Sequence, residues 1–365
     1  MFPDKNDTII QVLEKRGVTR RDFLKMSVML AGTLGLNYSL IGKVVQALET
    51  KSRVPVIWLE FQDCAGCTES ITRSQNPTLT QLVLNDIALD YHETLMVAAG
   101  FQAESAKDSA MEKYKGEYVL VVEGSIPLAN PGYCTVAGKA PEDVLRNAAD
   151  GAAAIIAVGN CATFGGLPKA KPNPTDAFAV MDVLTDKTVI NLPGCPAIPE
   201  VMTNTIAYLL VEGKAPELDA LNRPMMFYAQ TLHDRCLRRG FYDAGLYAKS
   251  FNDEGYRKGY CLYKLGCKGP TTYNSCASLK WNQGTSWPVQ SGHPCLGCSQ
   301  PNFWDGGGFY EGQGAILQKP GLAALGGAAL AGLVIGGGVS VANSREKERA
   351  KQTPEQSTSH EEKEE

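Results

Sequence analysis

Histidine is scarce in this chain, with four in 365 residues, which argues against a zinc enzyme built on histidine clusters. An excess of basic charge is missing too. The formal net charge is -4 and no basic stripe interleaves with aromatic residues, so no nucleic-acid partner is expected. The chain has no glycine-rich dinucleotide fingerprint, no P-loop and no nucleophile elbow. What it does have is cysteine: eleven, at 64, 67, 134, 161, 195, 236, 261, 267, 276, 295 and 298. An odd number in a chain this long argues against a simple disulfide framework. The 44% hydrophobic composition is enough to bury a core, and the length suits two domains.

Charged residues vanish altogether between Gly321 and Ser344, "GLAALGGAALAGLVIGGGVSVANS". A bilayer core needs about 20 apolar residues, so 319–344 is expected to form a transmembrane helix. Gly332 and Gly336 would let a second membrane helix approach closely. Arg345, Lys347, Arg349 and Lys351 follow, which places the tail 345–365 in the cytoplasm and the folded body outside. That tail is polar and is expected to be disordered. Near the start, "TRRDFLK" precedes the mostly apolar "MSVMLAGTLGL" and, later, "VVQA". The Arg20–Arg21 pair marks residues 1–47 as a twin-arginine signal peptide. That route exports proteins already folded around a cofactor, which tilts the cysteines towards metal.

Within the body, four short apolar runs read as buried strands: "VPVIWL", "YVLVVEG", "AAIIAVG" and "TVINLPG". Helical patterns stand beside them in "LTQLVLNDIALDYHETLM", "PEDVLRNAAD" and "IPEVMTNTIAYLLVEG". Strands alternating with helices predict an α/β fold over 48–225, a flavodoxin-like doubly wound parallel sheet. Cys64 and Cys67 follow the first strand, Cys161 the third and Cys195 the fourth. Ligands gather outside the carboxyl ends of such strands, so these four thiols can converge on one object. From about residue 226 the periodicity fades and Gly, Pro, Asn, Tyr and Trp take over, predicting a largely irregular second domain over 226–318. It holds "HDRC" (His233, Cys236), then Cys261, Cys267, Cys276, Cys295 and Cys298. Zinc, disulfides and iron–sulfur clusters are all chemically open to such a set.

The motifs "CAGCTES", "GNCATFGG", "KPNPT", "LPGCP", "HDRC", "CLYKLGCKGPTTYNSC" and "GHPCLGC", in this order, give a resemblance. The chain resembles the small, electron-transferring subunit of membrane-bound periplasmic nickel–iron hydrogenases. The resemblance implies a proximal [4Fe–4S] cluster on Cys64, Cys67, Cys161 and Cys195. It implies a distal [4Fe–4S] cluster on His233, Cys236, Cys261 and Cys267, and a medial [3Fe–4S] cluster on Cys276, Cys295 and Cys298. Pro288 matches the family's proline at the missing corner of the three-iron cluster. No residue of this chain is implied to be catalytic, because the nickel–iron centre belongs to the large subunit. The further partner implied is an integral membrane electron acceptor, a cytochrome b or a ferredoxin-like plus quinone-reactive protein. Oxygen-tolerant relatives carry two extra cysteines where Gly66 and Gly166 stand here, so an ordinary proximal cluster is expected. Cys134 is left over and reads as a small buried residue. His92, His293 and His360 read as a helix position, a loop position and a solvated tail.

Overall fold

Five strands pair side by side in a computed structural model that describes residues 53–82 and 87–311, together with Gln11, Thr19, Arg21, Asp22, Leu24, Lys25 and Val28. They are β1 (Val54–Glu60), β2 (Ile87–His92), β3 (Val119–Glu123), β4 (Ala154–Val158) and β5 (Val189–Leu192). All neighbours are parallel, and the spatial order is β2-β1-β3-β4-β5, the flavodoxin-like winding. Val56 sits opposite Val119, Val121 opposite Ile156, and Ile156 opposite Ile190.

Burial of both faces explains why the strands are near-continuous apolar runs rather than alternating ones. One face packs Val56, Trp58, Val121, Ile156 and Ile190 against Val201, Met202 and Ile206. The other packs Ile57, Leu59, Leu120 and Val122 against Val144, Leu145 and Ala148. Five helices matter here: α1 (Gly66–Ile71), α2 (Gly100–Lys113), α3 (Pro141–Asp150), α4 (Gly159–Phe164) and α5 (Pro199–Glu212). Both α3 and α5 start with proline, which lacks the amide hydrogen that a first helical turn leaves unpaired, and carry acidic residues in the first turn. Gly213, at φ 68, ends α5 in the left-handed conformation and donates its N–H to Leu209 O.

Two expectations need correction. The stretch 79–96, read as helix, holds among its described residues a helical turn at Leu79–Gln81 and then β2. Ile87, Ala88 and Tyr91 fit a helical period by coincidence, and pairing along β1 decides the conformation. The sheet therefore has five strands where four were expected, and His92 ends a strand rather than sitting on a helix. Conversely, α2 was not expected, because it buries only Ala103, Lys107 and Ala110 and so shows no apolar stripe.

The second half is indeed built of turns and short helices, yet it does not fold away from the sheet. Phe227, Tyr228, Leu262, Leu265, Trp287 and Val289 join the same core as Val56 and Ile156. All described residues belong to one compact unit. No described helix is long and apolar enough to cross a membrane. The expected transmembrane helix at 319–344, the tail, Arg20 and, apart from Val28, the apolar stretch of the signal peptide lie outside the described residues.

Candidate metal centre

The first cysteine set hangs from the carboxyl ends of three strands. Cys64 and Cys67 bracket the turn from β1 into α1, where Ala65 takes a left-handed φ of 55. Cys161 lies in α4, directly after β4, and Cys195 just beyond β5. Burial pushes the Cys67 thiol well above its ordinary range, with the charges of Glu123, Cys161 and Cys195 adding to it. Cys161 rises to about 11 and Cys195 to about 12, mainly by burial, each also repelled by Cys64. Such thiols ionise only when a cation takes the proton's place. A side chain on Gly159 would run into the Cys67 sulfur, and one on Gly166 into the Cys161 sulfur. These glycines therefore keep a cradle around the four sulfurs open.

The second set lines one pocket: His233, Cys236, Cys261 and Cys267, with Trp287 and Val289 among its walls. Burial lowers the affinity of His233 for a proton, and Arg239 lowers it further, leaving the neutral imidazole that a metal requires. Burial lifts Cys261 to about 11. Arg238 opposes that rise from inside the pocket. Its guanidinium is buried and is held by Val289 O at 3.0 Å and Tyr260 O at 2.8 Å.

The third set is Cys276, Cys295 and Cys298. Burial lifts Cys276 to about 12, with Cys298 the main charge beside it. Cys295 faces Cys267, Cys298 and Cys276. Pro288 is exposed between the buried Trp287 and Val289. The third set lies between the other two. Asn160, next to Cys161, donates through Nδ2 to Cys298 O at 3.0 Å, and the Cys295 amide donates to the Cys267 sulfur at 3.3 Å.

All eleven cysteines are free of disulfides. Among the described residues no cysteine set brings three ligand atoms within 4.8 Å of one another. One zinc ion with bonds of about 2.3 Å would draw its sulfurs to within about 4 Å. No cysteine set shows that closed spacing, and soft thiolates with one imidazole are donors that iron–sulfur clusters use.

Family models match in two blocks. The first, "NADH ubiquinone oxidoreductase, 20 Kd subunit", covers 64–209, and the C-terminal model of the "NiFe/NiFeSe hydrogenase small subunit" covers 228–311. The uptake hydrogenase small subunit of Azotobacter vinelandii is 51% identical over 306 residues, covering 84% of this chain and 86% of that protein. The hydrogenase-1 small chain of Escherichia coli K12 is 48% identical over 309 residues, 84% of this chain and 83% of that one. The chain belongs to the nickel–iron hydrogenase small subunits. Among solved structures, a chain of the [NiFeSe] hydrogenase from Desulfovibrio vulgaris Hildenborough superposes with a TM-score of 0.67 at 37% identity, covering 72% of this chain and 99% of that one.

Members of this family hold iron–sulfur clusters, and the donor chemistry of all three sets suits them. Cys134 lies outside the three sets, half-buried against Ile57, Leu59 and their neighbours. His293 makes contacts at 2.8 Å to Pro294 O and 3.0 Å to the Tyr310 hydroxyl.

Sequence reasoning missed a carboxylate network beneath Cys67. Glu60 and Glu123 end β1 and β3 and are buried. Glu123 accepts the Cys67 amide at 2.9 Å, the Thr68 amide at 3.0 Å and the Thr68 hydroxyl at 2.7 Å. Because the Thr94 amide donates to His92 Nδ1 at 3.2 Å, the His92 proton sits on Nε2, which faces the Thr68 hydroxyl at 3.3 Å. The available signal was an acid closing each apolar run, in "WLE" and "VVEG".

Burial raises Glu123 to about 7, helped by Asp63 and Glu60 and opposed by its hydrogen bonds from Thr68 and Cys67. Glu123 is therefore protonated below about pH 7 and charged above it. Infrared spectra across pH should show a protonated-carboxyl band fading with a midpoint near 7, and Glu123→Gln should lack it. A midpoint in the ordinary carboxylate range would mean that the hydrogen bonds outweigh burial.

Proposed function

We propose that this chain conducts electrons through a proximal [4Fe–4S], a medial [3Fe–4S] and a distal [4Fe–4S] cluster, linking the partner's reaction, H2 = 2 H+ + 2 e-, to a quinone-reducing acceptor in the membrane. As a hydrogenase small subunit it pairs with a large one, to or from which it transfers electrons. Both C-x2-C pairs here, Cys64/Cys67 and Cys295/Cys298, already belong to cysteine sets of this chain, so the nickel–iron site lies on the partner.

One observation carries the reading: the spatial order of the donor sets. Asn160, beside Cys161 of the first set, donates to Cys298 O, and the Cys295 amide donates to Cys267 of the second, so the three-cysteine set bridges the two four-ligand sets. When bound, each cluster supplies one-electron chemistry beside the next. The chain's residues hold the ends of that series apart. Cys64, Cys67, Cys161 and Cys195 sit at the strand ends, with Cys64 exposed for a partner. The His233 set belongs to the irregular half. A neutral imidazole there carries one negative charge less than a thiolate, which favours the reduced cluster at the exit. Three cysteines without a fourth donor suit three irons.

Replacing His233 by Ala should slow electron delivery to an external dye by at least about tenfold, the scale of loss seen when a metal site's supporting groups are removed. Hydrogen–deuterium exchange at the partner's active site, which exports no electrons, should persist. Equal loss of both activities would remove His233 from the exit.

The same proposal covers location. Export by the twin-arginine route, a body on the periplasmic side and a span at 319–344 follow from the paired arginines, the uncharged stretch and the basic cluster after it. A cytochrome b or a ferredoxin-like plus quinone-reactive protein would receive the electrons. Truncation after Gln318 should release an enzyme that reduces dyes but not quinone. Retention of the truncated form on washed membranes would overturn the anchor.

A further inference from the structure

Asn160 stands between Gly159 and Cys161 and is only 2% exposed. Its backbone N–H donates to Gly194 O at 2.7 Å, which ties the exit of β4 to the exit of β5 beside Cys195. Its side-chain amide crosses to the other half of the molecule. Nδ2 donates to Cys298 O at 3.0 Å and to Gln300 O at 3.0 Å, partners 138 and 140 residues away in sequence. Two carbonyl acceptors demand two donors, so the orientation of this amide is fixed by its partners. Oδ1 is buried without a hydrogen bond, so both bonds made by this side chain go to the Cys298 loop.

We propose that Asn160 is a positioning residue that clamps the proximal ligand loops to the Cys298–Gln300 loop and so sets the spacing between proximal and medial clusters. The inference rests on the cluster assignment above. Two chain segments far apart in sequence carry the ligands of neighbouring clusters, and electron tunnelling weakens steeply with separation. The spacing therefore needs a direct tie, and Asn160 supplies one with both N–H groups of a short side chain. Alanine would remove both donors, taking the Asn160 bond from the Cys298 carbonyl and leaving the Gln300 carbonyl with only the Phe303 N–H at 3.2 Å. No residue lining the His233 pocket takes part.

The test uses the assembled large–small heterodimer carrying Asn160→Ala. Thr163→Ala serves as the control, because the Thr163 hydroxyl donates within the same turn, to Gly159 O at 2.8 Å, and does not bond the Cys298 loop. Expected for Asn160→Ala are a changed midpoint potential and paramagnetic line shape of the medial centre. Proximal-to-medial electron transfer should slow by at least about tenfold, in line with losses at other supporting residues. The distal centre should keep its potential, and the control should match the parent protein. A medial centre and transfer rate identical to the parent would overturn the proposal, as would equal changes in the control. If Asn160→Ala does not assemble, pulsed paramagnetic resonance of the unaltered protein decides. A slowly exchanging amide proton coupled to the medial centre on the Cys298 side supports the clamped seam, and its absence overturns it. Colourless parent protein without iron would instead defeat the cluster assignment, which is a separate failure.

Discussion

Thiols must be held far enough apart for a cluster, yet in surroundings where burial keeps them protonated. The rest of the structure depends on meeting that constraint. Cys67, Cys161, Cys195, Cys276 and Cys295 are all pushed upward by burial and by one another. Their negative form is therefore unfavourable until iron supplies positive charge. A flexible loop would relax away from that repulsion. The ends of β1, β4 and β5 do not relax, because a sheet buried on both faces fixes them. Glycines then remove the side chains that would fill the space between sulfurs.

The same requirement explains the second half of the chain. Its segments have little regular hydrogen bonding of their own, but they share a core with the sheet and are stitched by polar ties. Arg238 holds Tyr260 and Val289 around the His233 pocket, Ser275 donates to Phe227 O at 2.5 Å, and Asn160 joins the halves. Electrons are expected to travel across such seams, so their rigidity matters more than their secondary structure. The buried Glu60–Glu123 network beneath Cys67 adds a proton-sensitive layer that the cysteine pattern did not suggest.

Much of this was legible in the sequence, for physical reasons. Long apolar runs ending in glycine announced β3, β4 and β5, and cysteines placed just beyond strand ends announced convergence. The family resemblance grouped the remaining donors, and four of them do line one pocket. The sequence could not reveal β2, because "IALDYH" suits a helix as well as a strand until β1 is beside it. Nor could it reveal α2, whose buried positions are mainly alanine. The order of the sets in space came from the resemblance alone, not from the residues themselves. The three-cysteine set comes last in the chain, and the Asn160–Cys298 and Cys295–Cys267 contacts put it in the middle.

The central claim is that eleven residues of this chain hold three clusters in the order proximal, medial, distal. Anomalous diffraction at the iron edge from crystals of the heterodimer tests it most directly. The account predicts three separate iron peaks in this chain. They should lie beside Cys64 and Cys195, beside Cys276, Cys295 and Cys298, and beside His233 and Cys261, with the middle one the weakest. Peaks at the zinc edge instead, fewer than three iron sites, or an iron site between the first and second sets that avoids Cys295 and Cys298 would contradict it.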